Sequence, residues 1–411
     1  MRTPESSMSN RDIRTANARM VLSRLWDADA ITGSELIEAT GLTRATVHDV
    51  CQELIELGWI EELPNQRAHG GYVKGRPARR YALAARAGVV VGVDSGDHRV
   101  IATVADLRGV VLAQRSRTFT ARGNRRRTVS AAILDALAAV PIPEAAVLAV
   151  VVGVPAPVDA GGRTVITTNE FWNRVNPDLG THLSAAHGWT AVVDNDANLA
   201  ALAEGWLGHG RGSDQFVTVL TGERLGAGVV VDGHLLRGAR GGAGELVWLD
   251  HLEGVGSADG IAALSRRWAA ESPSPSSRPV AGSPSLTSGS PSSLAASARS
   301  AEEVFAAAAQ GDPVGTAVIR RLGERFARIS SAVGKVFDTE LIILAGAVAT
   351  ACGPILEVVE RELPSLAIPP YPRVVASELG EAVVALGAVR RAITYLQEHA
   401  LIDVELPARV S

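Results

Sequence analysis

The apolar and polar positions of this chain fall into distinct successive patterns. Across residues 13–26, Ile13, Ala16, Met20, Leu22, Leu25 and Trp26 form the apolar set of a helix, with Arg14, Arg19 and Arg24 left for water or phosphate. Thr32 or Ser34 can cap a short helix over residues 35–40, and Gly41-Leu42 makes a tight turn. Thr43 then caps a second helix over residues 44–57, with Val47, Val50, Cys51, Leu54 and Leu57 as its buried stripe. Short strands are expected at residues 59–63, 71–73 and 80–83.

From Gly88 onward the pattern becomes β-branched strands alternating with alanine-rich helices. Strands are expected at residues 89–94, 98–106, 110–116, 147–154 and 192–194, with a helix at 128–139 and another leaving residue 195 for Leu207. The pattern restarts with strands at 216–220, 229–231 and 234–236, helices at 301–309 and 314–336, a strand at 341–344, a helix at 353–363, a strand at 373–375 and a helix at 382–395. Two β-meanders, each leading into α/β units, predict two related lobes with a cleft between them. Residues 271–300 break the pattern: they are Ser, Pro and Ala with almost no core former, and read as a disordered insertion.

The densest polar signal is Asp194-Asn195-Asp196-Ala197-Asn198, delivered by a short β-branched run and followed by an alanine- and leucine-rich helix. Asp and Asn there can cap the helix. They can equally form a polar-ligand site at the carboxyl end of a strand, where open α/β sheets bind ligands. Spacing alone leaves both readings open.

Composition narrows the classes. The chain has 411 residues, enough for two to three domains, and 46% apolar content supports sizeable cores. Aromatic content of 4% argues against an aromatic platform for single-stranded nucleic acid. Net charge of −4 means that any basic footprint must be local. Two cysteines, Cys51 and Cys352, build neither a disulfide framework nor a multi-cysteine metal site. With no signal-peptide core and no membrane-length apolar run, a cytoplasmic location and no membrane partner are expected.

The helix, short turn and helix over residues 35–57 match a helix-turn-helix, whose second helix enters the major groove by its N-terminal residues. Thr43, Arg44, Thr46 and His48 lie there, off the apolar stripe. A basic loop with Arg67, His69, Lys74, Arg76, Arg79 and Arg80, and no acidic residue between Pro64 and Gly88, stands where a winged helix sets its wing on DNA. The candidate DNA contacts are therefore Thr43, Arg44, Thr46, His48, Lys74 and Arg76, and the expected partner is double-stranded operator DNA.

Taken with that N-terminal segment, Asp94-Ser95-Gly96, Gly153-Val154-Pro155, Asp194-Asn195-Asp196-Ala197-Asn198 and Gly241-Gly242-Ala243-Gly244-Glu245 resemble the ROK family, which joins sugar kinases and transcriptional repressors on one fold. The resemblance implies an α/β fold: a winged helix-turn-helix over residues 1–86 and a two-lobed actin/hexokinase-like (ribonuclease H-like) ROK domain. Its lobes would span residues 87–205 with the C-terminal helix 381–398, and residues 206–380, with 271–300 inserted. It further implies that Asn169, Asn195, Asp196 and Glu245 contact sugar hydroxyls, Asp196 being the aspartate that takes the hydroxyl proton in kinases.

The sequence departs from the kinase pattern. Asp94-Ser95-Gly96-Asp97-His98 replaces Asp-x-Gly-Gly-Thr, and Gly222-Glu223-Arg224-Leu225-Gly226-Ala227-Gly228 replaces Gly-Thr-Gly-x-Gly-Gly-Gly. Side chains there block backbone approach to phosphate. Glu223 and Asp97 would each repel a unit phosphate charge by about 3 kcal/mol at roughly 5 Å and an effective dielectric of about 20, with Arg224 a partial offset. Ala345-Gly346-Ala347 alters the adenosine-side turn. The family's zinc ligands are replaced at Trp248 and across residues 254–261. No cofactor, no metal and no catalysis are expected. The resulting expectation is a sugar-responsive repressor, a homodimer or tetramer that takes a sugar or sugar phosphate. A sugar kinase with an added DNA module, or a regulator that no longer binds sugar, are the alternatives.

Overall fold

Ser9 starts the first helix among the described residues with a capping box. Its hydroxyl accepts from the Asp12 N–H at 3.2 Å while its own N–H donates to the Asp12 carboxylate at 2.9 Å. Helix α1 (Asn10–Trp26) thus begins earlier than its apolar set suggests. The computed structural model describes residues 9–64, 79–159, 161–164, 169–271 and 300–407.

Thr32, not Ser34, caps α2 (Gly33–Thr40), paired with Glu35 in a second capping box, and Gly41 ends the helix at φ 69°. Thr43 caps α3 (Arg44–Glu56). The accompanying sheet has the order β1 (Ile31–Thr32), β3 (Arg80–Leu83), β2 (Ile60–Leu63), all antiparallel. β1 is too short to show alternation in sequence. The strand expected at residues 71–73, and with it Arg67, His69, Lys74 and Arg76, lies outside the described residues, as does nearly all of the 271–300 insertion.

The body repeats one topology. Strands β4 (Val89–Ser95), β5 (Arg99–Asp106), β6 (Val111–Thr118), β7 (Val147–Val154) and β8 (Ala191–Asn195) form a sheet of order β6-β5-β4-β7-β8. Strands β9 (Phe216–Thr221), β10 (Leu225–Val231), β11 (His234–Leu235), β12 (Leu341–Ala345) and β13 (Arg373–Ala376) form a sheet of order β11-β10-β9-β12-β13. Each is an antiparallel meander extended on the side of its first strand, so the two meanders seen in the sequence are two copies of one plan. In the second, β9-β12-β13 are parallel.

Among the described residues the α-helices of the body are α4 (Arg125–Leu137), α5 (Glu170–Val175), α6 (Leu179–His187), α7 (Asp196–Leu207), α8 (Ile261–Glu271), α9 (Ala301–Ala309), α10 (Pro313–Phe337), α11 (Gly353–Leu366) and α12 (Val383–His399). Helices α5, α6 and α8 escape the periodicity reading: the first two are short, and α8 is interrupted by Ser265-Arg266-Arg267. Helices α8 and α9, on either side of the insertion, pack on each other and on α10, with Leu264, Trp268, Val304, Phe305, Leu322 and Phe326 in one core. No helix among the described residues is long and apolar enough to cross a membrane.

By internal contacts the chain forms two compact units. Unit 1 comprises residues 1–152, 177–193 and 388–411, so the three-helix N-terminal segment groups with the first sheet. Its attachment is specific. The Trp26 indole donates to the Leu107 carbonyl at 2.8 Å, and Arg108 at the β5–β6 turn donates to the Ala28 carbonyl at 2.7 Å and reaches those of Leu25, Trp26 and Asp29. These are the free carbonyls expected at a helix C-terminus, met by a cation. Unit 2 comprises residues 153–176 and 194–387, and the polar turn at Asp194 belongs to it together with α7.

Candidate functional site

The N-terminal face of α3 is open to solvent. Thr43, Arg44 and His48 are exposed and Thr46 half-buried, while Val47, Val50, Cys51 and Leu54 are buried. Thr43 Oγ accepts from the Thr46 N–H at 3.2 Å and lies 2.9 Å from the Thr46 hydroxyl, so capping fixes both at the helix mouth. His48 lies 3.7 Å from its exposed neighbour Asp49. Of the wing arginines, Arg79 pairs with Glu62 of β2 at 3.4 Å, which answers part of the basic charge attributed to that loop.

The second site starts at the junction of β8 and α7. Asn195 is the N-cap of α7: its Oδ1 accepts from the Asn198 N–H at 3.0 Å. Its Nδ2 donates to the Ala156 carbonyl at 3.2 Å, tying the Gly153-Val154-Pro155 turn to the helix start. Each amide atom keeps one further hydrogen-bonding position. Asp196 follows as the first helical residue, half-buried, with Oδ1 accepting from the Ala197 N–H at 2.8 Å. A carboxylate in the first turn is favoured by the helix dipole. Asn198 is 2% exposed and its Oδ1 has no partner, an acceptor available to a water or a ligand hydroxyl.

Asp194 is occupied. It is buried, and Arg237 grips both of its oxygens at 2.7 Å, while its Oδ1 also accepts from the Asn195 N–H at 2.8 Å. This bidentate pair ties the turn to the start of the glycine-rich loop. Arg237 was not among the residues singled out from sequence, because its partner stands 43 residues away.

The loop over residues 238–245 is set by close backbone approach. At Gly244, with φ 87°, a Cβ would stand 1.8 Å from the Ala227 carbonyl oxygen; the Ala227 N–H in turn donates to the Gly244 carbonyl at 3.0 Å. Glu245 follows, half-buried. Burial pushes its carboxyl above the usual carboxylate range, with Arg224 opposing the shift. Asn169 caps α5 through the Trp172 N–H at 3.1 Å. Asn169, Asn195, Asp196 and Glu245 all belong to unit 2, and the residue 153–159 turn contacts both the Asn195 amide and, at Val158, the glycine-rich loop.

The segment read as a degenerate phosphate loop is largely strand. β10 begins at Leu225, not at Val229. Its glycines serve packing: a Cβ on Gly228 would lie 2.3 Å from the Ala197 carbonyl oxygen and 2.5 Å from the Ala201 Cβ, because α7 crosses β10 there. Glu223 is not an uncompensated charge, since Arg266 binds both its oxygens at 2.9 and 2.5 Å. The repulsion inferred from Glu223 is therefore offset by Arg266, which comes from α8 in place of the neighbouring Arg224. In unit 1, the turn after β4 is held by Arg125, which donates to Ser95 Oγ at 2.9 Å and to the carbonyls of Gly96 and Asp97 at 2.8 and 3.0 Å.

Among the described residues no cluster of three His, Cys, Asp or Glu side chains is placed to hold a metal. Arg325 of α10 donates instead to the Val255 and Ser257 carbonyls, at 3.3 and 2.5 Å.

The chain matches the model of the ROK family over residues 90–249 and 252–394, and that of the IclR helix-turn-helix domain over residues 17–64. The xylose repressor of Bacillus subtilis (strain 168) is 24% identical over 238 residues, 57% of this chain and 60% of that protein. A glucokinase of Thermotoga maritima is 30% identical over 256 residues, 58% of this chain and 76% of that protein. The crystal structure of a ROK family transcriptional regulator, a homologue of the E. coli MLC protein, superposes with a TM-score of 0.67 at 23% identity, covering 93% of this chain and 96% of that one. The chain spans less than two thirds of the length of the xylose repressors it matches.

Proposed function

The chain belongs to the ROK family, and from that premise we propose that it is a sugar-responsive transcriptional repressor that binds operator DNA as a homodimer or tetramer. The observation that carries this is the union in one chain of an IclR-type helix-turn-helix segment with a ROK body. Arg44 and His48 on α3 present the donors that read base edges, with Thr43 and Thr46 placed for phosphate. Asn169, Asn195, Asp196 and Glu245 supply the carboxylate and amide groups that match sugar hydroxyls, and a buried polar group left unmet costs about 1–3 kcal/mol, which selects among sugars. The relatives named as xylose repressors put xylose first among candidate effectors, followed by glucose.

In this reading the sugar is sensed and not phosphorylated. Support comes from the residues that replace the kinase glycines and from the packing of Gly228 against α7. Asp196 then acts as a hydrogen-bond acceptor. The test is ADP release across a panel of aldoses with ATP and magnesium: background rates are expected for every sugar, and turnover with any one of them would replace this reading with the kinase one.

A further inference from the structure

One face of α10 carries basic charge that the described residues of unit 2 answer only in part. Arg321, Arg325 and Arg328 stand at i, i+4 and i+7 on the helix, so they share a stripe. They line an open cavity of about 570 Å³ together with Trp268, the residue 252–256 loop and the end of α11. Two acids also line it, but each has an arginine of its own: Glu324 pairs with Arg320 at 2.5 Å and Glu362 with Arg361 at 3.0 Å.

The three guanidinium groups are poorly matched by the protein. Arg325 is 2% exposed and its Nη1 has no hydrogen-bond partner. Burial draws Arg325 down to about 10, and Asp259, whose charge opposes that shift, is itself bound by Arg267 at 2.8 Å. Arg328 makes no hydrogen bond or ion pair among the described residues and lies over Gly254. Arg321 stacks on Trp268 at 3.9 Å and approaches Glu271 only at 4.0 Å. An orphaned buried N–H beside two under-used guanidinium groups is the donor set for a multi-oxygen anion.

We propose that this cavity binds a phosphoryl-group anion, free phosphate or a phosphate ester, at a site that shares no residue with the proposed sugar site. Three acceptor oxygens can be met by forked donors from consecutive turns. The anion would also fix the residue 252–256 loop, which Arg325 already holds by its carbonyls.

The test is thermal unfolding and calorimetric titration of the full chain with inorganic phosphate at constant ionic strength, chloride serving as the exchange anion. A saturable rise in Tm is expected for the wild type and for Asp196→Asn. A loss of at least tenfold in phosphate affinity is expected for Arg321→Gln/Arg328→Gln, both exposed positions where folding is retained. Glucose 6-phosphate separates the sources: at this site its binding survives Asp196→Asn and falls in the arginine variant. Absence of a saturable response to phosphate, or an equal response in the arginine variant, would overturn the proposal.

Discussion

Arg237 closes on Asp194 with two parallel hydrogen bonds of 2.7 Å, and the two partners differ sharply in exposure: the Asp194 side chain is 3% exposed and that of Arg237 42%. The pair holds the candidate sugar turn against the glycine-rich loop, and its asymmetry fixes what happens when either member is removed.

Arg237→Ala leaves a carboxylate buried without its partner and is expected to cost about 3 kcal/mol, whereas Asp194→Ala lets the arginine turn to water and costs about 1 kcal/mol. Urea unfolding of both variants measures this. Equal losses would mean that the turn is held by other contacts.

Gly228→Ala tests whether that glycine serves packing. A Cβ 2.3 Å from the Ala197 carbonyl oxygen must push α7 off β10, so a loss of about 3 kcal/mol or more is expected. Unchanged stability in thermal unfolding would return Gly228 to a phosphate-loop role.

Glu245 gives the proposed sugar binding an expected pH dependence. Burial raises its carboxyl above the ordinary 4.5, so the folded chain holds this proton more tightly than the unfolded chain does. Stability from this group is greatest below the unfolded value and declines as pH rises through the folded one. Glu245→Gln is therefore expected to be more stable than wild type at neutral pH, with the difference vanishing in acid. Sugar affinity in the wild type should fall as pH drops through the raised value, and that fall should be absent in Glu245→Gln. Calorimetry across pH 4–7 reads both, and identical profiles for the two proteins contradict the placement of Glu245.

Arg108→Ala removes the cation that meets the last carbonyls of α1. It should loosen the N-terminal segment by about 1–2 kcal/mol, read as faster amide exchange at residues 24–29. Exchange unchanged there would show that Trp26 alone secures the joint.

Much of the fold was legible because its elements carry strong periodicity and chemical caps. Thr43 before α3, the β-branched runs of β4 and β7, and the Asp-Asn-Asp run where β8 passes into α7 each announce themselves within a few residues. What stayed hidden depends on partners far along the chain. Asp194 finds Arg237, Glu223 finds Arg266, and Gly228 is required by Ala197; none of these leaves a local signature. For Asn195 the cap and ligand readings prove compatible, since one lone pair caps α7 and another is left over.

The most direct measurement is operator affinity with and without sugar. Fluorescence anisotropy on an operator selected from genomic DNA, titrated with xylose, glucose and their phosphates, is expected to show one sugar weakening binding by roughly 5–150-fold. Asp196→Ala should abolish that response and keep the sugar-free affinity. If no sugar shifts the affinity, or if Asp196→Ala weakens DNA binding itself, the sensor role of this turn is contradicted.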